Sequence, residues 1–354
     1  MDIYVCSTIR NLLFSILRGL STHKKSYIFM ITDQQNINKN NYDTSVLPSK
    51  IEIIFIQRQD VISTVKKSIL GPFIPLLTYT NSTINKYIKN NICNILLTRK
   101  ITENINFNNT QLIVFNDRNR LARIFILCFK DYIVIEDGLS NYRGMKLKFV
   151  EKCLKKITSP KQKMRYVGDN SKCSNIFLLN PENAPEYIRP KTKVIQFIDH
   201  NLITKYCFPF FNVRSDNTTV QYIIATQPIS SPEYLNSGTD LLVYKKIANY
   251  LTSKSISFSF KIHPREKTEK YANIIENADF IESKIPLELI ILKSPQKIKI
   301  ISVYSSAGMG FEKYCERITL INDNEVNNMN DTIKSWTKSI DMIDDRITEK
   351  LGSL

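Results

Sequence analysis

Residues 132–138 read Tyr-Ile-Val-Ile-Glu-Asp-Gly, an apolar run of strand length that ends in two carboxylates and a glycine. The run does not alternate with polar residues, which is typical of a strand in a parallel sheet that is buried on both faces. Similar runs recur before and after it, and segments with a helical spacing of apolar residues separate them. This alternation predicts an α/β architecture.

The same alternation of strand-like and helix-like segments occurs along the rest of the chain. In the first half, strands are predicted at residues 3–6, 27–32, 51–57, 94–98, 111–115 and 132–136, and helices at 11–20, 61–70, 121–129 and 145–157. Residues 159–217 are rich in Pro, Asn and Lys and are predicted to form an irregular connector with short strands at 176–179 and 194–198. The α/β pattern then resumes, with strands at 220–226, 256–262, 297–304 and 317–322 and helices at 240–253, 287–292, after Gly308, at 327–337 and at 341–351.

A chain of 354 residues is long enough for two domains that each bury a core. We therefore expect two Rossmann-like domains that face each other across a cleft. The N-terminal domain is predicted to span residues 1–190 and the C-terminal domain residues 191–354, with the final helices as candidates to pack back on the first domain.

The composition describes a globular protein with a strong positive charge. Hydrophobic residues make up 43% of the chain, and 49 Lys and Arg against 33 Asp and Glu give a net charge of +16. The seven cysteines form no CxxC pair, which argues against a zinc site or a disulfide framework and for a reducing compartment. The first residues lack a basic region ahead of an apolar one, so we expect no export signal and a cytoplasmic location.

The basic residues are densest between Arg143 and Arg165. Such a segment can lie against anionic lipid on the inner face of the membrane or against a polyanionic glycan. An ordinary solvated lysine-rich surface is the alternative interpretation. We expect any membrane contact of this chain to be peripheral.

Polar residues that follow strand ends are the first place to look for chemistry, because open α/β sheets bind ligands at the carboxyl edge of their strands. The first such group is Glu136-Asp137-Gly138. Successive side chains of an extended chain point to opposite sides, so we expect only one of the carboxylates to face a ligand. A carboxylate held there can take a proton from a sugar hydroxyl. An acidic residue before a glycine is also ordinary turn sequence.

The second group is Lys261-Ile262-His263-Pro264, at the end of the predicted strand 256–262. Pro264 disfavours a helical conformation at His263, and an imidazole there can donate a proton or place positive charge near a leaving group. Lys261 and His263 lie two residues apart on an extended chain and are predicted to face the same way. A solvent-exposed histidine in a turn is the alternative.

The third group is Ser305-Ser306, which follows the predicted strand 297–304 and precedes the helix predicted after Gly308. Amide N–H groups and serine hydroxyls at a helix N-terminus form a phosphate-binding site. The alternative is that one of the serines only caps the helix. A base, an acid and a phosphate site are together the parts needed to transfer a sugar from a nucleotide donor.

These three groups, in this order, resemble the motifs of the bacterial lipooligosaccharide sialyltransferases and the related capsular polysialyltransferases. The flanking sequence agrees at residues 5–8, 115–118, 226–228 and 285–288, so the resemblance covers most of the chain. It implies a GT-B fold and an inverting transfer of sialic acid from CMP-sialic acid. The implied acceptor is a galactoside or sialoside of lipooligosaccharide or capsule, linked α-2,3 or α-2,8, and the implied reaction needs no metal or other cofactor.

The resemblance also implies a role for each matching residue. Asp137 corresponds to the general base, with Glu136 as its substitute, and His263 corresponds to the general acid that acts on the phosphate leaving group. The donor-binding residues in this scheme are Ser305 and Ser306 for the phosphate, Lys261 for the cytosine, Glu288 for the ribose, and Pro264 beside the histidine.

Two alternative functions remain open from the sequence. The first keeps the GT-B fold and changes the donor to another CMP-activated nonulosonic acid or to a different nucleotide sugar. The second is nucleic-acid binding, which the charge of +16 suggests. The positive charge is spread along the chain, however, and we find no RNP-like motif, helix-turn-helix or zinc finger. We therefore expect no nucleic-acid partner.

Overall fold

The computed structural model describes most of the chain, namely residues 1–68, 71–74, 77–78, 86–97, 99–147, 164–213, 221–229, 239–272, 275, 278–322, 325, 329–338 and 341–354. These residues form two compact units, Met1–Asn212 and Val213–Leu354. Each unit contains a parallel β-sheet with helices, as the alternating pattern predicts.

The sheet of the first unit is entirely parallel. The strands of the first unit are β1 (Asp2–Cys6), β2 (Ser26–Ile31), β3 (Ile51–Ile56), β4 (Gln111–Val114), β5 (Tyr132–Ile135), β6 (Met145–Lys146), β7 (Met164–Arg165), β8 (Cys173–Leu178) and β9 (Thr192–Val194). The sheet order is β3-β2-β1-β4-β5-β8-β9, and β6 pairs with β7 antiparallel outside this sheet.

The described helices of the first unit are α1 (Ile9–Ser21), α2 (Arg58–Lys67), α3 (Lys86–Leu96), α4 (Arg99–Asn104), α5 (Arg120–Cys128), α6 (His200–Leu202) and α7 (Phe208–Phe210). A π-helical segment, Ile203–Cys207, joins α6 to α7. Helix α1 begins shortly after β1. The Thr8 side chain caps its N-terminus by accepting a hydrogen bond from the Asn11 N–H. Its apolar side chains are buried, which fixes the direction of the helix from the strand end.

The second unit is built on a smaller parallel sheet. Its strands are β10 (Tyr222–Ala225), β11 (Ser259–Lys261), β12 (Asp279–Ile281), β13 (Ile298–Ser302) and β14 (Cys315–Thr319), and its described helices are α8 (Thr239–Ser253), α9 (Glu269–Ala272), α10 (Leu287–Lys293), α11 (Met329–Lys338) and α12 (Asp341–Leu351). The sheet order is β12-β11-β10-β13-β14. Apolar residues of α11 and α12, Trp336 and Ile347 among them, lie in the core of this second unit.

The division between the units lies after Asn212 and not after residue 190 as the sequence predicts. The predicted connector is part of the first unit for two reasons. Strand β9 extends the first sheet by pairing with β8. At the end of the helical stretch, the Phe210 ring stacks on Tyr42 with 5.4 Å between ring centroids. The strand and the aromatic contact together hold residues 192–212 on the first unit.

Three other predicted elements differ from the structure. The predicted strand 94–98 begins inside helix α3, which ends at Leu96. The helix predicted after Gly308 is replaced by turns, because Gly308 and Gly310 have positive φ angles of 75° and 83° that interrupt a helix. The helix predicted at 145–157 begins instead with the two-residue strand β6, and its remainder from residue 148 lies outside the described residues.

Residues 148–163, which carry most of the basic Arg143–Arg165 segment, also lie outside the described residues. Within the described part of the chain, no helix combines the length and the apolar character needed to cross a membrane.

Candidate active site

The predicted base lies at the switch point of the first sheet. Strand β1 has β2 on one side and β4 on the other, so the order of the strands reverses between β1 and β4. Open α/β sheets bind ligands at this point, outside the carboxyl ends of the strands. Asn11 follows β1, Asn116 follows β4 and Asp137 follows β5, so the three side chains belong to the same edge.

Asp137 is half-buried and contacts groups from these neighbouring strand ends. The Asn11 Nδ2 donates a hydrogen bond of 2.8 Å to Asp137 Oδ1. Burial raises the pKa of Asp137 above that of an ordinary aspartate, and the Asn11 hydrogen bond, the Arg10 charge and Asn116 oppose this rise in part. A carboxylate whose charged form is partly desolvated is a better proton acceptor than one in water.

Asn11 holds Asp137 in one orientation because its own amide is fixed. The Oδ1 of Asn11 accepts hydrogen bonds from the Ser7 N–H and the Thr8 N–H, each at 3.2 Å. The amide oxygen therefore faces the start of α1, and the NH2 group faces Asp137. The helix cap and the orientation of the carboxylate thus depend on the same side chain.

Glu136 lies beside Asp137 and is fully buried. Its Oε1 accepts from Arg10 Nη2 at 2.8 Å. Its Oε2 accepts from the Tyr142 hydroxyl and, at 2.8 Å, from the Leu179 N–H after β8. Both carboxylate oxygens are engaged within the protein, so Glu136 joins α1 to the ends of β5 and β8. Of the two neighbouring carboxylates, Glu136 is closed off from solvent and Asp137 is half-buried.

Gly138 turns the chain immediately after Asp137. Its φ of 108° and ψ of −144° lie in a region that only glycine occupies readily. The turn brings the Asn141 Oδ1 within 2.8 Å of the Asp137 N–H, from which it accepts a hydrogen bond. A side chain at residue 138 would be strained in this conformation, which accounts for the glycine of the motif.

Asp117, which belongs to the flanking sequence shared with the family, has a structural role. Its Oδ2 accepts from the Tyr132 hydroxyl at 2.7 Å and from the Gly168 N–H at 2.9 Å, and burial raises its pKa. The cap of α5 is Asn119, whose side chain accepts from the Leu121 N–H. Asp117 therefore ties β5 to the loop before β8.

In the second unit, His263 follows β11 at the carboxyl edge of the sheet and is half-buried. Pro264 occupies the second position of a turn closed by a hydrogen bond of 2.8 Å from the Glu266 N–H to the His263 carbonyl oxygen. The His263 Nδ1 accepts from the Arg265 N–H at 3.2 Å. The proton of the neutral imidazole is therefore on Nε2. Burial lowers the pKa of His263 to about 4, although Glu266 opposes this shift.

Thr226 and Glu266 form a hydrogen-bond network with the backbone of His263. The Thr226 hydroxyl oxygen accepts from the His263 N–H at 2.8 Å, and the hydroxyl donates to Glu266 Oε2 at 3.0 Å. The other oxygen of Glu266 accepts from Lys270 Nζ at 2.7 Å and from the Tyr271 hydroxyl at 2.9 Å. This network fixes the backbone of the His-Pro turn to the end of β10.

Lys261 is the last residue of β11, and its side chain is buried among groups of the same unit. It is 6% exposed, and its Nζ donates to the carbonyl oxygens of Glu282 at 2.9 Å and Ser283 at 3.3 Å. Burial lowers its pKa to about 7, and Glu288 and Glu282 oppose the shift. Glu288 is buried in the first turn of α10. Lys261 therefore holds the loop that leads to Glu288.

Ser305 and Ser306 are half-buried and follow β13, which neighbours β10. They begin a turn and not a helix, since the Ser305 Oγ accepts from the Ala307 N–H at 3.1 Å and the Met309 N–H donates to the Ser306 carbonyl oxygen. The two serines are therefore presented by a turn, and not by the helix N-terminus that the sequence predicts.

Gln227 connects the two strand ends at the switch point of the second sheet. Its Oε1 accepts from the Tyr304 N–H at 2.7 Å, and its Nε2 donates to the Tyr304 carbonyl oxygen. The backbone N–H of Gln227 donates a hydrogen bond of 2.8 Å to the Tyr244 hydroxyl oxygen. One side-chain amide therefore sets where the chain leaves β13 toward the two serines.

A cavity of about 580 Å³ lies away from these groups, at the amino edge of the first sheet. It is lined by Lys24, Phe107, Asn108, Asn109, Thr110, Gln111, Lys130 and Asp131. These residues precede β2, β4 and β5 or, in the case of Gln111, begin the strand, so the cavity is at the end of the sheet opposite Asp137. Among the described residues, no three His, Cys, Asp or Glu side chains are grouped so as to hold a metal ion.

The model of glycosyltransferase family 52 matches residues 79–322, well over half of the chain. The chain belongs to glycosyltransferase family 52. This glycosyltransferase contains the three predicted groups at the carboxyl edges of its two sheets, and the family expected from the motifs is confirmed. A search of the curated proteins finds no match.

Solved structures similar to this glycosyltransferase include two bacterial sialyltransferases. An α/β-galactoside α-2,3-sialyltransferase from Photobacterium phosphoreum has a TM-score of 0.51 and 13% identity, over 100% of this chain and 95% of that chain. A sialyltransferase GT-B domain from Photobacterium damselae has a TM-score of 0.45 and 10% identity, over 87% of both chains. The first similarity shows the fold, and the predicted GT-B class is confirmed.

Several residues of the site are not predicted from the sequence. Arg10 and Asn11 lie in α1, more than a hundred positions before the carboxylates they contact. Glu266 lies two residues after Pro264 in the sequence, but only its contact with Thr226 shows what it does. The sequence signal available for Thr226 and Gln227 is their place directly after the strand β10, at the same edge as His263.

Proposed function

We propose that this family 52 glycosyltransferase moves sialic acid from CMP-sialic acid to a hydroxyl of a galactoside or sialoside on a bacterial surface glycan, either lipooligosaccharide or capsule. The observation that carries the proposal is the half-buried Asp137 carboxylate, held by Asn11 at the switch point of the first sheet. The family and the motif order support sialyl transfer, and the proposed linkage is α-2,3 or α-2,8.

The proposed base is Asp137. It takes the proton of the acceptor hydroxyl as the oxygen attacks the anomeric carbon and the glycosidic phosphate departs with its bonding electrons. Attack opposite to the departing phosphate inverts the configuration at the anomeric carbon. The raised pKa of Asp137 suits this role, because the carboxylate gains more by accepting a proton than a solvated carboxylate does.

Glu136 takes a positioning role in this proposal, and not that of a substitute base. It is fully buried, and its two oxygens are engaged by Arg10, Tyr142 and Leu179. A carboxylate in an ion pair with a guanidinium is a poor proton acceptor. Its function is to hold Arg10, and with it the first turn of α1, next to Asp137.

The second unit supplies the donor-binding groups. His263 presents an Nε2–H that can donate to the leaving phosphate, since its Nδ1 accepts from the Arg265 N–H. The negative charge of the phosphate raises the pKa of the imidazole, so a proton is more readily held there as the bond breaks. Ser305 and Ser306 bind the same phosphate, Glu288 binds the ribose, and Lys261 supports Glu288 through the loop after β12.

Two further features are proposed from the sequence. Transfer needs no divalent metal, and the enzyme works in the cytoplasm with peripheral contact to the inner membrane through the Arg143–Arg165 segment. Liposomes with anionic lipid test the second point. Replacement of Lys152, Lys155 and Lys156 by Gln without loss of binding would rule out this contact.

The test of the proposed function is a transfer assay in EDTA with CMP-N-acetylneuraminic acid as donor and labelled lactose or sialyllactose as acceptor. We expect a product heavier by one sialic acid residue with an inverted anomeric centre, identified by mass spectrometry and NMR. Transfer only from another CMP-nonulosonic acid, or binding of UDP or GDP in preference to CMP, would contradict the donor assignment while leaving the GT-B glycosyltransferase intact.

A further inference from the structure

Arg317 lies in β14 and reaches across to the turn that carries the two serines. Its Nε donates to the Ala307 carbonyl oxygen at 3.0 Å, and its Nη2 donates to the Ser305 carbonyl oxygen at 2.6 Å. One guanidinium therefore binds two alternate carbonyls of a single turn. The side chain is half-buried, and its residue pairs with Ile300 of β13 in the sheet.

The direction of these carbonyls determines where the next amide groups point. All peptide bonds described in the chain are trans, so each C=O is opposed by the N–H of the following residue. With the carbonyls of Ser305 and Ala307 turned toward Arg317, the N–H groups of Ser306 and Gly308 point to the other side of the turn. Within the described residues, neither of these N–H groups nor the Ser306 hydroxyl has a hydrogen-bond partner.

Gly308 is required by the turn itself. Its φ is 75°, and a Cβ there would come within 2.6 Å of Ile300 Cδ1 and 2.8 Å of Cys315 Sγ. The stem of Arg317 lies beside this glycine, with its Cγ 3.4 Å from the same Cβ position, which is an ordinary contact distance. In the part of the chain that the structure describes, Arg317 forms no ion pair with a carboxylate, so no carboxylate neutralises the charge that it places against the two carbonyls.

We propose that Arg317 is a positioning residue for the phosphate of the nucleotide donor. It turns the Ser305–Gly308 segment so that the N–H groups of Ser306 and Gly308 and the Ser306 hydroxyl face the phosphate. Its positive charge also polarises the two peptide groups whose N–H bonds point there, which strengthens these donors toward an anion. This inference rests on the proposed function, in which the donor carries a nucleoside monophosphate.

The test separates the phosphate from the nucleoside. Binding of CMP and of cytidine is measured by calorimetry for the wild type, Arg317→Met and Arg317→Lys. We expect Arg317→Met to weaken CMP binding by about tenfold, as for the loss of one charge-assisted contact, and to leave cytidine binding within about twofold. Arg317→Lys keeps the positive charge but cannot bridge two carbonyls. We therefore expect its CMP affinity to lie between those of the wild type and Arg317→Met.

Lys299→Met is the matched control, because it removes one positive charge from β13, where the Lys299 Nζ lies over the Tyr222 ring, 5.6 Å from its centroid. It should leave both affinities unchanged. Equal losses of CMP and cytidine affinity in Arg317→Met, or no loss of either, would overturn the role in phosphate positioning. A wild type that binds another nucleotide in preference to CMP changes the proposed donor, and the same comparison with that nucleotide and its nucleoside still decides the role of Arg317. Wild-type protein that binds no nucleotide would overturn both proposals.

Discussion

The Asn11 amide donates to Asp137 Oδ1 at 2.8 Å, and hydrogen bonds from the Ser7 and Thr8 N–H groups prevent it from rotating. The start of α1 and the orientation of the proposed base are therefore coupled. A change at Asn11 that preserves its role as an acceptor alters only the group that faces Asp137.

Asn11→Asp is such a change. A carboxylate oxygen can still accept from the Ser7 and Thr8 N–H groups, while the other oxygen replaces the NH2 group that donates to Asp137. Two carboxylates in contact disfavour ionisation of both, so the pKa of Asp137 rises further. We expect the acidic limb of the kcat/KM profile for transfer to move upward by about one pH unit. Asn106→Asp, in an exposed turn before β4, is the control and should leave the limb in place. An unmoved limb in Asn11→Asp would show that Asp137 does not set it.

Asp137→Asn should stabilise the protein at neutral and alkaline pH. Burial raises the pKa of Asp137 in the folded state, so the stability associated with its protonated form is lost as the pH rises through the folded pKa. We expect the free energy of unfolding of the variant to exceed that of the wild type by about 1 kcal/mol at pH 8. This difference should vanish below about pH 4. Urea unfolding at both pH values measures this, with Asp131→Asn at the exposed amino edge as a control. A variant less stable than the wild type at pH 8 would contradict the stated effect of burial.

Glu136→Gln should have the opposite effect on stability. It removes the fully buried carboxylate that accepts from Arg10 Nη2 at 2.8 Å, and the Arg10 side chain is itself only 12% exposed. Loss of one member of a buried ion pair costs about 3 kcal/mol, and we expect a lower thermal midpoint with the acidic limb of the pH profile unmoved. Arg10→Leu combined with Glu136→Gln should recover part of the loss, because no unpaired charge remains. If Glu136→Gln instead shifts the acidic limb, Glu136 contributes directly to proton transfer.

His263 should titrate near pH 4 in the free enzyme, with its neutral proton on Nε2. A bound phosphate favours the imidazolium, so CMP should raise the pKa by about one unit or more. Histidine NMR resonances followed against pH measure both values, and His263→Gln assigns the signal against those of His23 and His200. A pKa near the ordinary histidine value that does not respond to CMP would contradict the phosphate contact.

The fold could largely be predicted from the sequence because the central strands are continuous apolar runs. β1 and β5 are buried along their whole length, and such runs identify a parallel sheet without any long-range information. Helix α3 could not be identified in this way. Its last residues, 94–96, begin the apolar run 94–98, and a short run of this kind is compatible with either a strand or a helix.

The site could be located but not resolved in detail. Strand ends mark Asp137 and His263, whereas the choice between Glu136 and Asp137 depends on Arg10 and Asn11, which local sequence does not connect to them. The helix predicted after Gly308 fails for a related reason. A glycine and two serines after a strand are compatible with a helix N-terminus, and only the positive φ of Gly308 shows a turn.

The central claim is that Asp137 is the base of a sialyl transfer. The most direct test is acceptor-dependent release of CMP from CMP-N-acetylneuraminic acid in EDTA, with the wild type beside Asp137→Asn. We predict release by the wild type and a rate lower by about 10³-fold in the variant, with CMP affinity unchanged. Release by Asp137→Asn within tenfold of the wild type would contradict the assignment of the base, and absence of release by the wild type with every galactoside and sialoside acceptor would contradict the proposed reaction.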